Sequence, residues 1–177
     1  MIVFLTGGAR SGKSSFALEM AEKSGGKRLF LATACALDEE MKQKIQIHRE
    51  QRDNRWDTLE EPVYLGRALR PVIGLYKTII VDCLTLWMSN LLGKYQDQDE
   101  KTAEIIDDFF SCISEYDGTM FVVSNEVGMG IVPDNKPARA YRDQLGFLNQ
   151  RMAASAEKVY VFFSGIPLEL KGAKDKM

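Results

Sequence analysis

Five runs along the chain are apolar at nearly every position, without the in–out alternation of a sheet that faces water. They are Ile2-Val3-Phe4-Leu5-Thr6, Arg28-Leu29-Phe30-Leu31-Ala32-Thr33, Lys77-Thr78-Ile79-Ile80-Val81-Asp82, Thr119 to Ser124 and Lys158 to Ser164. Strands of this kind belong to a sheet covered on both faces. Between them lie helical stretches. Lys13 to about Lys23 is closed by Gly25-Gly26. In the next, Asp38 can cap and Glu39 and Glu40 oppose the macrodipole; it runs to about Arg52. Leu84 to about Leu92, 101 to 116 and Pro137 to about Ala156 follow. Trp56 to Glu60 is a short extended piece, and Pro62 can open a helix at its first turn. Strands alternating with helices predict an α/β fold, a mostly parallel sheet covered by helices on both faces. Lys158 to Ser164 reads as the last strand. Residues 1–171 read as a single catalytic domain, and 172–177 as a polar, mobile tail.

Ligands of such sheets sit beyond the carboxyl ends of the strands. Thr6, Thr33, Asp82, Ser124 and Ser164 should therefore ring one edge. At that edge Gly7-Gly8-Ala9-Arg10-Ser11-Gly12-Lys13-Ser14 fits the phosphate-loop pattern GxxxxGK[ST], after a strand and opening a helix. The glycines let backbone amides turn inward, and the helix N-terminus adds positive potential. Lys13 would reach the β- and γ-phosphates, and the Ser14 hydroxyl would bind Mg2+. Asp82 stands where such folds place the carboxylate that supports the ion. A purine nucleoside triphosphate and phosphoryl transfer are the chemistry expected.

The formal net charge of −2 offers no bulk field for nucleic acid or an anionic membrane, so a phosphate site must come from local geometry. Cys35, Cys83 and Cys112 are far apart and form no CxxC pair, which points away from disulfides and structural zinc and toward a reduced, cytoplasmic compartment. The run Ile2 to Leu5 is too short for a signal peptide, and no stretch is long enough for membrane insertion.

Two further features carry candidate chemistry. His48 is the sole histidine and shares a helical stripe with Met41, Ile45 and Arg52, beside Arg49. A neutral imidazole is a competent nucleophile toward phosphorus, and guanidinium neighbours favour the neutral form. A helix-face histidine of no consequence fits the pattern equally. The second feature is the loop Asn125 to Lys136, punctuated by Gly128, Gly130 and Pro133. Glu126, just past a strand end, could orient a substrate hydroxyl or a Mg2+-bound water. Arg139 and Arg142 on the next helix could meet phosphate or a neighbouring subunit, or lie on a solvated face.

Several strings together resemble one family. They are Thr6 to Ser14, Asn125-Glu126-Val127-Gly128-Met129-Gly130-Ile131-Val132-Pro133, Ile45-Gln46-Ile47-His48-Arg49, Asn149-Gln150-Arg151 and Ser164-Gly165-Ile166-Pro167. The chain resembles the bifunctional adenosylcobinamide kinases / adenosylcobinamide-phosphate guanylyltransferases of cobalamin biosynthesis from residue 2 to about 171. The Asn125 string is the most specific. The resemblance implies a P-loop NTPase of RecA-like architecture and two reactions. ATP or GTP phosphorylates the aminopropanol hydroxyl of adenosylcobinamide. GMP from GTP is then attached to adenosylcobinamide phosphate through a guanylylated histidine, which falls on His48.

Nucleotide contacts implied by the resemblance fall on Gly7, Gly8, Ala9, Arg10, Ser11, Gly12, Lys13 and Ser14. Others fall on Ala32, Thr33 and Ala34, on Arg49, Glu50, Gln51 and Arg52, and on Glu60 and Asp82. Some members carry glutamate in place of Asp82, and either carboxylate can serve Mg2+. A possible substrate loop comprises Asn125, Glu126, Gly128 and Gly130. The resemblance also implies a homo-oligomer. Two alternatives stay open: a monofunctional P-loop small-molecule kinase with His48 inert, and a GTP-binding switch. The switch reading wants a base-specifying motif such as NKxD, which is absent.

Overall fold

Successive residues of the apolar runs point to opposite sides of one sheet, and both sides are covered. Ile79, Ile80 and Val81 are each fully buried, which alternation along a strand allows only with protein above and below. A computed structural model of the protein describes residues 1–34, 55–96 and 98–172. Its strands are β1 (Ile2–Gly7), β2 (Arg28–Ala32), β3 (Trp56–Glu60), β4 (Thr78–Asp82), β5 (Thr119–Val123), β6 (Lys158–Phe163) and β7 (Ile166–Lys171). Its helices are α1 (Lys13–Glu22), α2 (Leu65–Leu69), α3 (Leu84–Lys94), α4 (Asp99–Ser114) and α5 (Lys136–Ser155). The sheet order is β3-β2-β4-β5-β1-β6-β7. The first six strands pair in parallel, and only β6 and β7 run antiparallel. With β5 between the strand that enters the phosphate loop and the strand that ends in Asp82, this is the RecA-like P-loop architecture expected above.

The sheet divides the core in two. On one side Ile2, Phe4, Val81 and Val122 pack against α2, α3, α4 and α5, around Trp87 and Phe109. The two rings meet edge to face with centroids 5.0 Å apart. The Trp87 indole also donates to the Val63 carbonyl at 2.8 Å, which settles the one polar atom that so large a buried ring carries. On the other side Val3, Leu5, Ile80 and Val123 meet Ala17 and Ala21 of α1. Small residues on that helix let it lie close over the strands. Its C-terminus is closed by Arg28 of β2, whose guanidinium donates to the carbonyls of Ala21, Glu22 and Ser24 at 3.1, 3.0 and 2.7 Å. A buried cation is thus placed at the negative end of the helix, where unpaired carbonyls need donors.

Two expectations need correction. The helix expected from Pro62 begins at Leu65. Glu61 takes the amides of Val63 and Tyr64 on its carboxylate at 2.8 and 2.9 Å, holding Pro62 to Tyr64 in a turn. The strand beginning at Lys158 ends at Phe163, and it is not the last. Ser164 (φ 51) and Gly165 (φ 88) make a two-residue turn with both φ values positive, and the chain returns as β7. All six residues of β7 are exposed, including Ile166, Leu168 and Leu170. The expected helix from Asp38 to Arg52, and the tail beyond Gly172, lie outside the described residues.

Candidate active site

The phosphate loop takes its shape from close packing at β1. Gly7 has φ +139, and a Cβ there would stand 2.5 Å from the carbonyl oxygen of Phe162 in β6. Only glycine fits both the backbone angle and the space. The loop closes through Arg10 (φ 55) and Gly12 (φ 94), and α1 begins at Lys13. No side chain caps α1, so the first-turn amides are left for an anion. Lys13 is 5% exposed and folds into the loop. Its ammonium donates to Gly7 O at 3.1 Å, Gly8 O at 2.6 Å and Ser11 Oγ at 3.3 Å. Burial lowers its pKa, while negative charge on Cys83 and Asp82 works the other way. Burial, with the Asp82 charge second, pushes the Cys83 thiol up to about 11, so it is neutral at pH 7 and Asp82 is the counter-charge that operates.

At the same edge Ala32 of β2 sits in register between Glu60 of β3 and Asp82 of β4. Beyond them Thr33 is wholly buried, and its hydroxyl is committed to structure. It donates to the Cys83 carbonyl and accepts from the Cys83 amide, both at 2.8 Å. Asn90 of α3 holds the Thr33 carbonyl at 2.8 Å.

The Asn125 loop is tied directly to the phosphate loop. The Glu126 amide donates to Gly7 O at 3.0 Å, so this carbonyl receives both Glu126 and Lys13. The Asn125 amide donates to Thr85 Oγ1 at 2.7 Å, and Asn149 of α5 donates to the Asn125 carbonyl at 3.0 Å. Glu126 Oε1 accepts from the Gly128 amide at 2.6 Å, and a Cβ at residue 128 would approach that same oxygen to 2.9 Å. Arg139 donates to the carbonyls of Pro133 and Asp134 at 3.0 and 2.8 Å and so fastens the far end of the loop. Asn135 caps α5 by accepting from the Ala138 amide at 2.8 Å.

A family model described as cobinamide kinase / cobinamide phosphate guanyltransferase matches residues 3–170 of the chain. The chain belongs to this family. A Pseudomonas aeruginosa protein named bifunctional adenosylcobalamin biosynthesis protein CobP is 40% identical, over 95% of this chain and 96% of that one. The Escherichia coli and Salmonella typhimurium proteins named bifunctional adenosylcobalamin biosynthesis protein CobU are 35% and 36% identical, each over 97% of this chain and 100% of the relative. A solved structure described as the RadB recombinase aligns with a TM-score of 0.45 at 12% identity, covering 90% of this chain and 73% of that one, and adds nothing to the topology above.

Within this member of the cobinamide kinase / guanyltransferase family, the expected residues fall into two groups. Gly7 to Ser14, Lys13, Asp82 and Glu126 converge around the loop at β1, β4 and β5. Ala32 and Glu60 end β2 and β3, with Thr33 and Ala34 just past β2, and β2 is next to β4 and its Asp82. The two strands lie three and four places from β1. At about 4.8 Å per strand, that is about 14 and 19 Å away. His48 and Arg49, Glu50, Gln51 and Arg52 lie in the stretch between those two strands, outside the described residues. Thr6 and Asn149, both of which carry buried side-chain oxygens without partners among the described residues, were not among the expected site residues. Both stand in strings that carry the family resemblance, and Thr6 is also one of the strand ends expected to ring the ligand edge.

Gly7 and Gly8 should respond differently to one methyl group. Gly8 is exposed, and a Cβ there would meet nothing within 4 Å. Gly7→Ala should cost more than about 2 kcal/mol and abolish nucleotide binding, while Gly8→Ala should stay within about 0.5 kcal/mol of wild type in urea unfolding. Equal unfolding free energies for the two variants would contradict the loop geometry.

Proposed function

We propose that the protein phosphorylates adenosylcobinamide with ATP or GTP and then transfers GMP from GTP to the new phosphate, giving adenosyl-GDP-cobinamide. The observation that carries this reading is the junction at Gly7, where Lys13 inside the phosphate loop and Glu126 at the head of the family's most specific string meet on one carbonyl. In the first reaction the aminopropanol oxygen attacks the γ-phosphorus, and the bond to the β-bridging oxygen breaks. The nucleoside diphosphate leaves, and Glu126 takes the hydroxyl proton. Lys13 and the α1 amides stabilise charge on the transferring group. Ser14 and Asp82 supply the hard oxygen donors that Mg2+ takes, in a site where phosphates and water would complete its shell; when bound, the ion offsets triphosphate charge.

In the second reaction a His48 nitrogen attacks the α-phosphorus of GTP and pyrophosphate leaves. A phosphate oxygen of adenosylcobinamide phosphate then attacks the same phosphorus and frees the imidazole. Each step is a single displacement, so the histidine divides one demanding exchange between anions into two, and pyrophosphate has left before the second phosphate attacks. The family resemblance of Ile45 to Arg49 supports this role. Arg49 and Arg52 would keep the ring neutral and stabilise the attacked phosphate. The separation of β2 and β3 from β1 favours two nucleotide subsites. Gly7 to Ser14 would hold the kinase donor. Ala32, Ala34, Glu60 and Arg49 to Arg52 would hold the guanylyl donor beside His48, while Thr33, whose polar groups are taken by Asp82, Cys83 and Asn90, fixes the backbone behind them.

The protein would act on small molecules and bind no nucleic acid, as a homo-oligomer. Phe163, Ile166, Leu168 and Leu170 leave the β6–β7 edge apolar and open, the kind of surface a partner copy covers. No helix among the described residues is long and apolar enough to cross a membrane. Nucleotide substrates and the free thiols of Cys83 and Cys112 suit a cytoplasmic location.

Incubation with GTP labelled in the α-phosphate should leave acid-labile, alkali-stable label on the denatured protein, and His48→Ala should remove it. A wild type that binds GTP and never acquires label would leave a kinase with an inert histidine. Sedimentation velocity should show an oligomer that Leu168→Glu dissociates; a wild-type monomer would contradict the proposed assembly.

A further inference from the structure

Beside the phosphate loop, on the α5 face of the sheet, lies a second cavity of about 530 Å³. It shares Glu126 and no other residue with the cavity of about 420 Å³ that borders Gly7 to Ser11. Its floor is apolar, formed by Phe4, Val159 and Ala153, and Phe147 and Leu170 line it from exposed positions. Arg142, Asp143 and Gln150 also line the cavity, and Thr6 and Asn149 supply polar character beside that floor. Each carries a buried side-chain oxygen, Thr6 Oγ1 and Asn149 Oδ1, with no hydrogen-bond partner among the described residues. Asn149 is 8% exposed, and its amide nitrogen is already committed to the Asn125 carbonyl. Its oxygen therefore cannot find a partner by flipping the amide without losing that bond. Buried oxygens are normally paired, so two unpaired ones lining one cavity point to a ligand with polar atoms of its own to meet them.

We infer that this cavity seats the hydroxyl-terminated amide arm of the corrinoid acceptor, with Thr6 and Asn149 as its specificity-determining residues. The identity of the acceptor rests on the function proposed above. Such an arm has a partner for each of the two oxygens. Its secondary amide offers an N–H to Asn149 Oδ1, and its carbonyl accepts from Thr6 Oγ1. Its methylenes lie on Ala153 and Phe147. The terminal hydroxyl then stands at Glu126, whose amide shares the Gly7 carbonyl with the Lys13 ammonium. A space of this size holds the arm and excludes the macrocycle, which stays outside over the exposed Phe147 ring.

Two variants test the assignment without touching the phosphate loop. Thr6→Val keeps the shape and removes the hydroxyl. Gly146 of α5 lines the same cavity, and a Cβ there would meet nothing within 4 Å, so Gly146→Phe fills the space from a helix that tolerates a side chain. Kinase assays should show KM for adenosylcobinamide raised about fivefold to tenfold by Thr6→Val and by more than about tenfold by Gly146→Phe. The dissociation constant for GTP should stay within about twofold in both. If Gly146→Phe fails to fold, Thr6→Val decides alone. A competent wild type with variants that leave the acceptor KM unchanged, or that weaken GTP and acceptor alike, overturns the cavity's assignment alone. A wild type that leaves adenosylcobinamide unphosphorylated overturns the parent reading, and the acceptor assignment with it.

Discussion

The carbonyl of Gly7 is where the site is fastened together. It accepts from the Lys13 ammonium and from the Glu126 amide, and its residue lies against the backbone of β6 with no room for a side chain. Four pieces of the chain thereby share one point: the end of β1, the start of α1, the loop after β5, and β6. Each is otherwise anchored in a core whose strands are buried on both faces. A lysine in a loop of solvated glycines would sample many positions. Here three acceptors hold it, and its charge is set between burial and Asp82. The kinase chemistry depends on that placement, because phosphoryl transfer asks little of a protein except positioned charge.

The sheet order has a second consequence. A strand inserted between β1 and β4, with β2 and β3 beyond, spreads the carboxyl edge over six parallel strands. The proposal of two nucleotide subsites follows from that width. So does the role given to the stretch between β2, which ends at Ala32, and β3, which begins at Trp56. The acceptor cavity lies on the other side of the loop, under α5. Its hydroxyl end would reach the phosphoryl group through Glu126, the one residue common to both cavities.

Much of this was legible in the sequence because burial on both faces leaves a continuous apolar signature. β1, β2, β4, β5 and β6 each carry it, and the phosphate loop announces itself by spacing alone. β7 does not, since its six exposed residues answer to pairing with β6 rather than to a core. The Ser164-Gly165 turn was its available signal, with two adjacent positive φ values. Pro62 misled for a related reason: a proline suits a first helical turn, but Glu61 captures the following amides first. Links over long sequence separation, such as Asn149 to Asn125 and Glu126 to Gly7, leave no local pattern at all. The Asn125 string shows a functional loop by its glycines, Pro133 and the position of Glu126, and its particular substrate only through the family that shares it.

The central claim is that Lys13, held in the loop at Gly7, carries the first reaction. The most direct measurement follows the γ-phosphoryl of labelled GTP into adenosylcobinamide, comparing wild type with Lys13→Ala at matched folding, checked by urea unfolding. Loss of one preorganised charge should slow transfer by at least about 100-fold while the sheet stays folded. Label reaching the corrinoid at the wild-type rate in a folded Lys13→Ala enzyme would contradict the account.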